Sequence, residues 1–182
     1  MPKRDEDRLW ELQFSTEVST RYHDWRRSFL AKLVTAVRAI TLAGSILSFV
    51  ALFVLDRPTL EIVVAVATAI VGGVTLIDLV FKFDDMARLH NDLYRRFKRL
   101  QAEITRNEIS APDQTVAEWQ AEAQVIRVDE PPTFWAVYAM SWNQTADRRR
   151  VEGAHFRHVA RWRQALRNVM YFQPEDFPNA AV

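Results

Sequence analysis

Two long apolar runs dominate the hydrophobic pattern of this chain. Ala39 to Leu55 contains 17 residues without a charge, and Ile62 to Ile77 contains 16 more. Each run approaches the roughly 20 apolar residues that cross a hydrocarbon core about 30 Å thick. Both are apolar nearly all the way round, whereas a surface helix of a soluble bundle has an apolar stripe of limited width. The pattern therefore predicts two membrane-spanning helices, at 38–55 and 61–82, rather than two buried helices of a soluble bundle.

The two runs are separated by the six residues DRPTLE, Asp56 to Glu61. A proline suits the first turn of a helix, so Pro58 is expected near the start of the second span. The charges of Asp56 and Glu61 keep the turn in water. We therefore expect a tight hairpin. The first run lies behind a charged segment and is followed directly by a second span, so it does not have the layout of a cleavable signal peptide.

Basic residues flank the runs on one side. Five Lys or Arg residues precede the first run between Arg21 and Arg38, six follow the second run between Lys82 and Arg99, and the connection contains only Arg57. Because cytoplasmic loops of membrane proteins carry an excess of Lys and Arg, both termini are predicted to be cytoplasmic.

The rest of the chain is predicted to be helical with few breaks. An amphipathic pattern predicts a cytoplasmic helix over 1–37, apolar residues at spacings of three and four continue the second span through 83–108, and 109–182 holds shorter helices and a tail. Thr133 is expected to cap one of these helices, and the last is expected from His155 to about Tyr171. The predicted fold class is an all-α membrane protein, in which a two-transmembrane helical hairpin carries long cytoplasmic helical extensions and a C-terminal helical region. The apolar residues that define the extension of the second span are Met86, Leu89, Leu93, Phe97, Leu100 and Ile104.

Two further segments, YHDWRRSFL before the first span and DEPPTFWAVYAMSWNQTA in the C-terminal region, complete this layout. With them, the chain over about residues 9–172 resembles the SLATT family of bacterial two-transmembrane effectors, which accompany nucleotidyltransferases in anti-phage systems. The resemblance implies an inner-membrane protein that assembles into a homo-oligomeric pore, such as a tetramer, and responds to a nucleotide or short oligonucleotide made by a companion nucleotidyltransferase. Many relatives carry an acidic residue directly after the asparagine of the second segment, whereas Gln144 follows Asn143 here.

Each predicted span carries one stripe of small and polar residues at helical spacing. Such stripes let helices pack closely and hydrogen-bond in a bilayer, and they can also line a pore. Both interpretations imply a tight hairpin or an oligomer, and the sequence leaves both open. The stripe residues are Arg38, Thr41, Ser45 and Ser48 in the first span, and Thr68, Gly72, Thr75 and Asp78 in the second.

Arg38 and Asp78 are expected at matching depth. Arg38 lies 17 residues before Leu55, and Asp78 lies 17 residues after Glu61, which places both roughly 26 Å from the connection at 1.5 Å per residue. An intramembrane ion pair is a functional candidate. The alternative is that Arg38 extends to the headgroups and Asp78 lies at the water line.

A basic segment near the C-terminus is the candidate ligand site. Its arginines and aromatic residues suit phosphate binding and base stacking, and they equally suit a basic helix lying on anionic lipid. The candidate nucleotide-binding residues are Arg148, Arg149, Arg150, His155, Arg157, Arg161, Trp162, Arg163 and Arg167.

Catalytic chemistry finds little support in the sequence. The chain has no cysteine and only four glycines, which excludes thiolate catalysis, cysteine-based zinc sites and glycine-rich phosphate loops. We therefore expect no enzyme, no metal and no cofactor. The expected function is a nucleotide-gated pore in the membrane. The alternative is a non-conducting anchor whose cytoplasmic helices recruit a partner protein.

Overall fold

The computed structural model describes residues 3–107, 113–151 and 158–177, and within them the chain is helical with no strand. The long helices come first, and a short 3₁₀ turn ends the described part. The elements are α1 Lys3–Val54, α2 Arg57–Phe81, α3 Phe83–Asn107, α4 Asp113–Val128, α5 Trp135–Arg148, α6 Arg161–Leu166 and the 3₁₀ turn Pro174–Asp176.

Helices α1 and α2 are each long and apolar enough to cross a membrane. Only 6% of the most apolar 18-residue window of each helix is buried. A core helix of a soluble protein would bury most of that window, because apolar surface exposed to water is unfavourable. Large apolar side chains such as Phe53, Val54, Leu79 and Val80 are instead 68 to 75% exposed. Pro58 occupies the first turn of α2, as the sequence predicts.

The chain divides into two compact units, residues 28–88, called the apolar helix pair, and residues 1–27 with 89–182, called the helical domain. In the apolar helix pair, one face of α1 and one face of α2 are less exposed than the rest. The spacing of these residues alternates between four and three, as in helices that pack side by side. The residues are Val37, Thr41, Gly44, Ser48 and Ala51 in α1, and Leu60, Val64, Ala67, Val71, Val74 and Asp78 in α2.

Gly44 shows how closely these two helices approach. A Cβ atom placed on Gly44 would lie 2.5 Å from Val71 Cγ2 and 3.9 Å from the Ala67 carbonyl oxygen. Ala51 and Ala67 are buried on the same faces, at 3% and 5% exposure. Small side chains at these positions therefore set the spacing between α1 and α2.

The core of the helical domain forms around α3. Leu93, Phe97, Leu100 and Ile104, four of the residues whose spacing predicts a helix here, are at most 1% exposed. They pack with Leu9 and Leu12 of α1 and with Val116, Trp119, Ala123 and Ile126 of α4. A second cluster joins Ala136 and Ala139 of α5 to Phe172 and Phe177.

Three element boundaries differ from the expectation. Lys82 adopts left-handed dihedral angles, φ 47° and ψ 53°, and separates α2 from α3. The second apolar helix and its predicted extension are therefore two helices. Helix α5 begins after Phe134 without a side-chain cap, rather than at Thr133. Within the described residues 158–171, the expected helix from His155 to about Tyr171 is helical only over Arg161–Leu166, because 158–160 are not helical and 167–169 form a turn. His155 itself lies outside the described residues.

Candidate functional site

The stripe residues of the two apolar helices fall into two groups in the structure. Thr41, Ser48 and Asp78 lie partly buried on the faces that contact each other. Ser48 donates its hydroxyl hydrogen to the Gly44 carbonyl at 2.9 Å, which satisfies the hydroxyl within its own helix. The exposed group consists of Arg38, Ser45, Thr68, Gly72 and Thr75.

The exposed group lies among apolar side chains. Thr75 donates to the Val71 carbonyl at 2.7 Å and Ser45 to the Thr41 carbonyl at 2.8 Å. A Cβ atom on Gly72 would meet nothing within 4 Å. Thr68, Gly72 and Thr75 therefore form an open strip of low bulk on α2, which we call the α2 strip.

Arg38 lies near a different carboxylate from the one expected. Its Nη2 atom is 3.8 Å from Asp84 Oδ1, and the two side chains are 71% and 43% exposed. Asp84 also accepts a hydrogen bond from Arg88 at 2.8 Å. Asp84 stands at the start of α3, six residues beyond Asp78, and Lys82 redirects the chain between them. No Arg38–Asp78 ion pair occurs in the described structure.

The predicted basic segment is not one helix face. Arg149 pairs with Glu17 at 2.8 Å, and Arg163 pairs with Asp176 at 2.9 Å. Arg167 lies 5.6 Å from the Trp25 ring centroid and donates to the Gln164 carbonyl. The remaining candidates are Arg148, Arg150, Arg161 and Trp162, which are exposed, and His155 and Arg157, which lie outside the described residues.

A polar cleft of about 200 Å³ in the helical domain brings Arg148 together with residues outside the predicted ligand-binding segment. It is lined by three cations, Arg21, Lys98 and Arg148, and by two aromatic rings, Trp25 and Tyr94. Its other lining residues are Glu17, Thr20, Asp24 and Gln101.

The acidic residues of this cleft are engaged by arginines. Glu17 accepts hydrogen bonds from Arg21 at 3.2 Å and from Arg149 at 2.8 Å, and Asp24 accepts from Arg27 at 2.6 Å. Arg21 also donates to Gln144 at 2.7 Å. Lys98 and Arg148, both exposed, are the cations of the cleft that lack a carboxylate partner among the described residues. The cleft therefore suits a small anion with an aromatic part.

Two buried histidines form a second polar cluster. His23 of α1 and His90 of α3 are 0% and 1% exposed, and their Nδ1 atoms lie 2.9 Å apart. His23 Nε2 lies 3.1 Å from Glu130 Oε1 in the segment after α4. The Phe97 ring stacks on His23 with 5.5 Å between centroids. The cluster thus joins three parts of the helical domain through buried polar contacts.

Burial shifts the pKa values of His90 and of two residues near it, Tyr22 and Arg26. Loss of hydration, together with the electrostatic influence of His23 and Arg26, lowers the pKa of His90 to about 3. Burial likewise raises the pKa of Tyr22, whose hydroxyl accepts a hydrogen bond from the Phe134 backbone N–H at 3.1 Å, and lowers the pKa of Arg26. His90 is therefore neutral at physiological pH.

Sequence reasoning could not find this cluster, because its members stand 67 and 107 residues apart. Within the described residues, no group of three His, Cys, Asp or Glu side chains is placed to hold a metal ion.

Comparison with protein family models, with curated proteins and with solved structures finds no match to this chain. Fold and composition define a helical protein in which two helices are long and apolar enough to span a membrane, which supports membrane association.

Proposed function

We propose that this chain is a membrane effector of bacterial anti-phage defence. It crosses the inner membrane as a two-helix hairpin with both termini in the cytoplasm. Copies of the chain assemble into a pore whose conductance is controlled by a nucleotide or short oligonucleotide bound to the helical domain. The defence role and the nucleotide signal come from the resemblance to the SLATT family, and the other parts rest on the residues.

Exposed apolar surface on α1 and α2 supports the proposal that these helices cross a membrane. Only 6% of the apolar 18-residue stretch of each of α1 and α2 is buried. The side chains of these stretches therefore need an apolar environment that the chain itself does not provide. A bilayer provides it, and all backbone groups within a helix are already paired. The basic residues that flank the apolar runs favour cytoplasmic termini.

The α2 strip is the observation that carries the pore proposal. Thr68, Gly72 and Thr75 are exposed on a helix whose surroundings would be lipid tails. Small and polar residues on a membrane helix are stabilised when they face another helix or water rather than lipid. A second copy of the chain, with water along the strip, meets that need.

The gate is supported by the polar cleft. Lys98 and Arg148 lack carboxylate partners there, and Trp25 and Tyr94 present rings. Cations bind phosphate and rings stack on bases, which is how nucleotide binders combine the two residue types. A ligand can open or close the pore only if it binds the two states with different affinity.

One observation favours a non-conducting anchor as the second candidate. The helix pair closes on itself at Gly44, Ala51 and Ala67, so a single hairpin already has a packed interface. Such a hairpin could tether the helical domain without any pore.

Ion flux from liposomes tests the proposal. The purified chain is reconstituted, and flux is recorded alone and with a panel of linear and cyclic oligonucleotides. We expect at least one nucleotide to change the flux. The double variant Thr68→Leu, Thr75→Leu should lose conductance, because leucine fills the strip and removes both hydroxyl groups.

The matched control is Ile70→Leu, Ile77→Leu, which changes two exposed apolar residues of the same helix without changing polarity. This variant should conduct like the unmodified chain. If an inserted, oligomeric protein conducts under no condition, the pore is wrong and the anchor is favoured. If flux occurs but no nucleotide changes it, the gate is wrong.

A further inference from the structure

Five large apolar side chains are exposed together near the C-terminal end of the helical domain. They lie in α6 and in the residues 167–171 that follow it. Elsewhere in the described part of this domain, the exposed large apolar side chains are Trp10 of α1 and Val125 and Val128 of α4. The five residues, called the C-terminal apolar patch, are Trp162 at 54% exposure, Leu166 at 38%, Val169 at 70%, Met170 at 45% and Tyr171 at 54%.

The segment that carries the patch is held firmly on its other side. Phe172 and Phe177 are 6% and 3% exposed and pack against Ala136 and Ala139 of α5. The Arg163 side chain pairs with Asp176 at 2.9 Å. These contacts hold the other side of the segment against the domain and leave the patch side chains exposed.

A hydrogen bond from α1 adds to this support. Arg26 donates from Nη1 to the Asn168 carbonyl at 2.9 Å and to its side-chain oxygen at 3.2 Å. Asn168 directly precedes Val169 and Met170, the centre of the patch. The backbone that presents the patch is therefore tied to the body of the domain by a buried arginine.

The composition of the patch matches a membrane–water interface. Trp and Tyr concentrate at the headgroup level, where an apolar ring and a polar tip are both accommodated. Leu166, Val169 and Met170 add aliphatic surface. Arg161 is exposed at the start of α6 and suits an anionic headgroup. Of the two acidic residues that follow, Asp176 is paired with Arg163, which leaves Glu175 as the exposed acid of this segment.

We infer that the C-terminal apolar patch lies in the headgroup layer of an anionic bilayer. This inference rests on the membrane-crossing part of the proposed function. The spans hold the chain at a bilayer, so the patch meets lipid at high effective concentration and needs little affinity of its own. Trp162 and Tyr171 lie at the headgroups, the three aliphatic side chains lie below them, and Arg161 binds a lipid phosphate.

Spin labelling of the full chain tests the inference, because the protein has no cysteine of its own. A nitroxide is attached to Val169→Cys in vesicles of phosphatidylglycerol and phosphatidylcholine. Its collisions with molecular oxygen, which concentrates in lipid, are compared with its collisions with a water-soluble nickel chelate. We expect a high ratio of oxygen to nickel collisions. Met170→Cys repeats the measurement at the neighbouring patch residue.

Two matched probes give the reference values. Val125→Cys replaces a valine of α4 that is 62% exposed, close to the 70% of Val169, and it should report water. Ile70→Cys in α2 should report lipid. If Val169 and Met170 match Val125 while Ile70 reports lipid, the patch inference is wrong and the membrane proposal stands. If Ile70 also reports water, the membrane proposal itself fails.

A second copy of the chain is the competing occupant of the patch. In that case the Val169 probe would be shielded from both oxygen and nickel, and neighbouring nitroxides would broaden each other's spectra. That outcome would overturn the lipid assignment.

Discussion

At the scale of single residues, the buried histidine pair places a strict condition on protons. A hydrogen bond between two Nδ1 atoms, 2.9 Å apart, requires that one nitrogen carries the hydrogen and the other accepts it. If both histidines became imidazolium, two N–H groups would face each other in a buried site. The pair therefore tolerates at most one added proton.

This condition predicts a pH-dependent stability. The pKa of His90 is about 3 in the folded chain against 6.5 normally, so the unfolded chain binds a proton that the folded chain does not. The stabilising contribution is fully present above pH 6.5 and is lost as the pH falls towards 3. The groups facing His90 are His23, Arg26 and Tyr22 of α1, with Glu130 behind His23. Below pH 6.5, the equilibrium constant for unfolding should rise about tenfold per pH unit from this site.

Urea unfolding, followed by tryptophan fluorescence between pH 7 and 5 in detergent, measures the effect. His90→Asn keeps an oxygen acceptor near the Nδ1 position but cannot titrate, so its stability should depend less on pH. His158→Asn removes an exposed histidine and should keep the slope of the unmodified chain. Equal slopes in all three proteins would contradict the prediction.

At the scale of elements, the contact between α1 and α2 depends on the absence of one methyl group. A Cβ atom on Gly44 would lie 2.5 Å from a methyl of Val71, whose β-branched side chain has little freedom to move. Gly44→Ala should therefore destabilise the helix pair by about 1–3 kcal/mol through overpacking, despite the higher helix propensity of alanine.

Gly73→Ala is the matched control, because a Cβ atom there meets nothing within 4 Å. It should be neutral or stabilising by up to about 1 kcal/mol. Unfolding of the detergent-solubilised protein by increasing fractions of sodium dodecyl sulfate compares the two variants. A loss of stability in Gly73→Ala equal to that in Gly44→Ala would show that steric contact at Val71 is not the cause.

The elements also show how far local sequence determines this fold. The buried face of α3, with Phe97 at its centre, follows from spacing alone, and so do the two apolar helices and Pro58 at the start of α2. The break at Lys82 carries no local signal, since lysine is not a residue that favours left-handed dihedrals. The sequence predicts one long amphipathic helix around α6, whereas Arg167 contacts Trp25 and Arg163 pairs with Asp176, so these arginines are held in different places.

At the scale of the whole molecule, the proposed membrane topology is directly testable. Thr59, in the first turn of α2, and Gln114, in α4, are both exposed. Each substitution gives a variant with a single cysteine, because the chain has none of its own. Thr59→Cys should react with an impermeant maleimide added to intact spheroplasts. Gln114→Cys should react only after the membrane is permeabilised. The opposite pattern would place the termini outside, and labelling of both without permeabilisation would exclude a hairpin across the membrane.

The candidate site shows where sequence reasoning ends for the whole molecule. Thr41 is partly buried between the two helices and Thr75 is exposed, although both are threonines in stripes of small and polar residues. Only the packing of α1 against α2 distinguishes them. The polar cleft and the histidine pair join residues from distant parts of the chain, such as Trp25, Tyr94 and Arg148. A one-dimensional pattern indicates which face of a helix is apolar, but not which distant residues that helix will meet.

The two apolar helices are connected to the rest of the chain in different ways. Helix α1 continues without a break from Lys3 to Val54, whereas α2 ends at Phe81 and a single left-handed residue, Lys82, precedes α3. In a continuous α-helix, turning one end about the axis turns the other, because each turn is hydrogen-bonded to the next. The backbone of α1 thus has no interruption between Lys3 and Val54, whereas the single residue Lys82 interrupts the helical hydrogen bonding between α2 and α3.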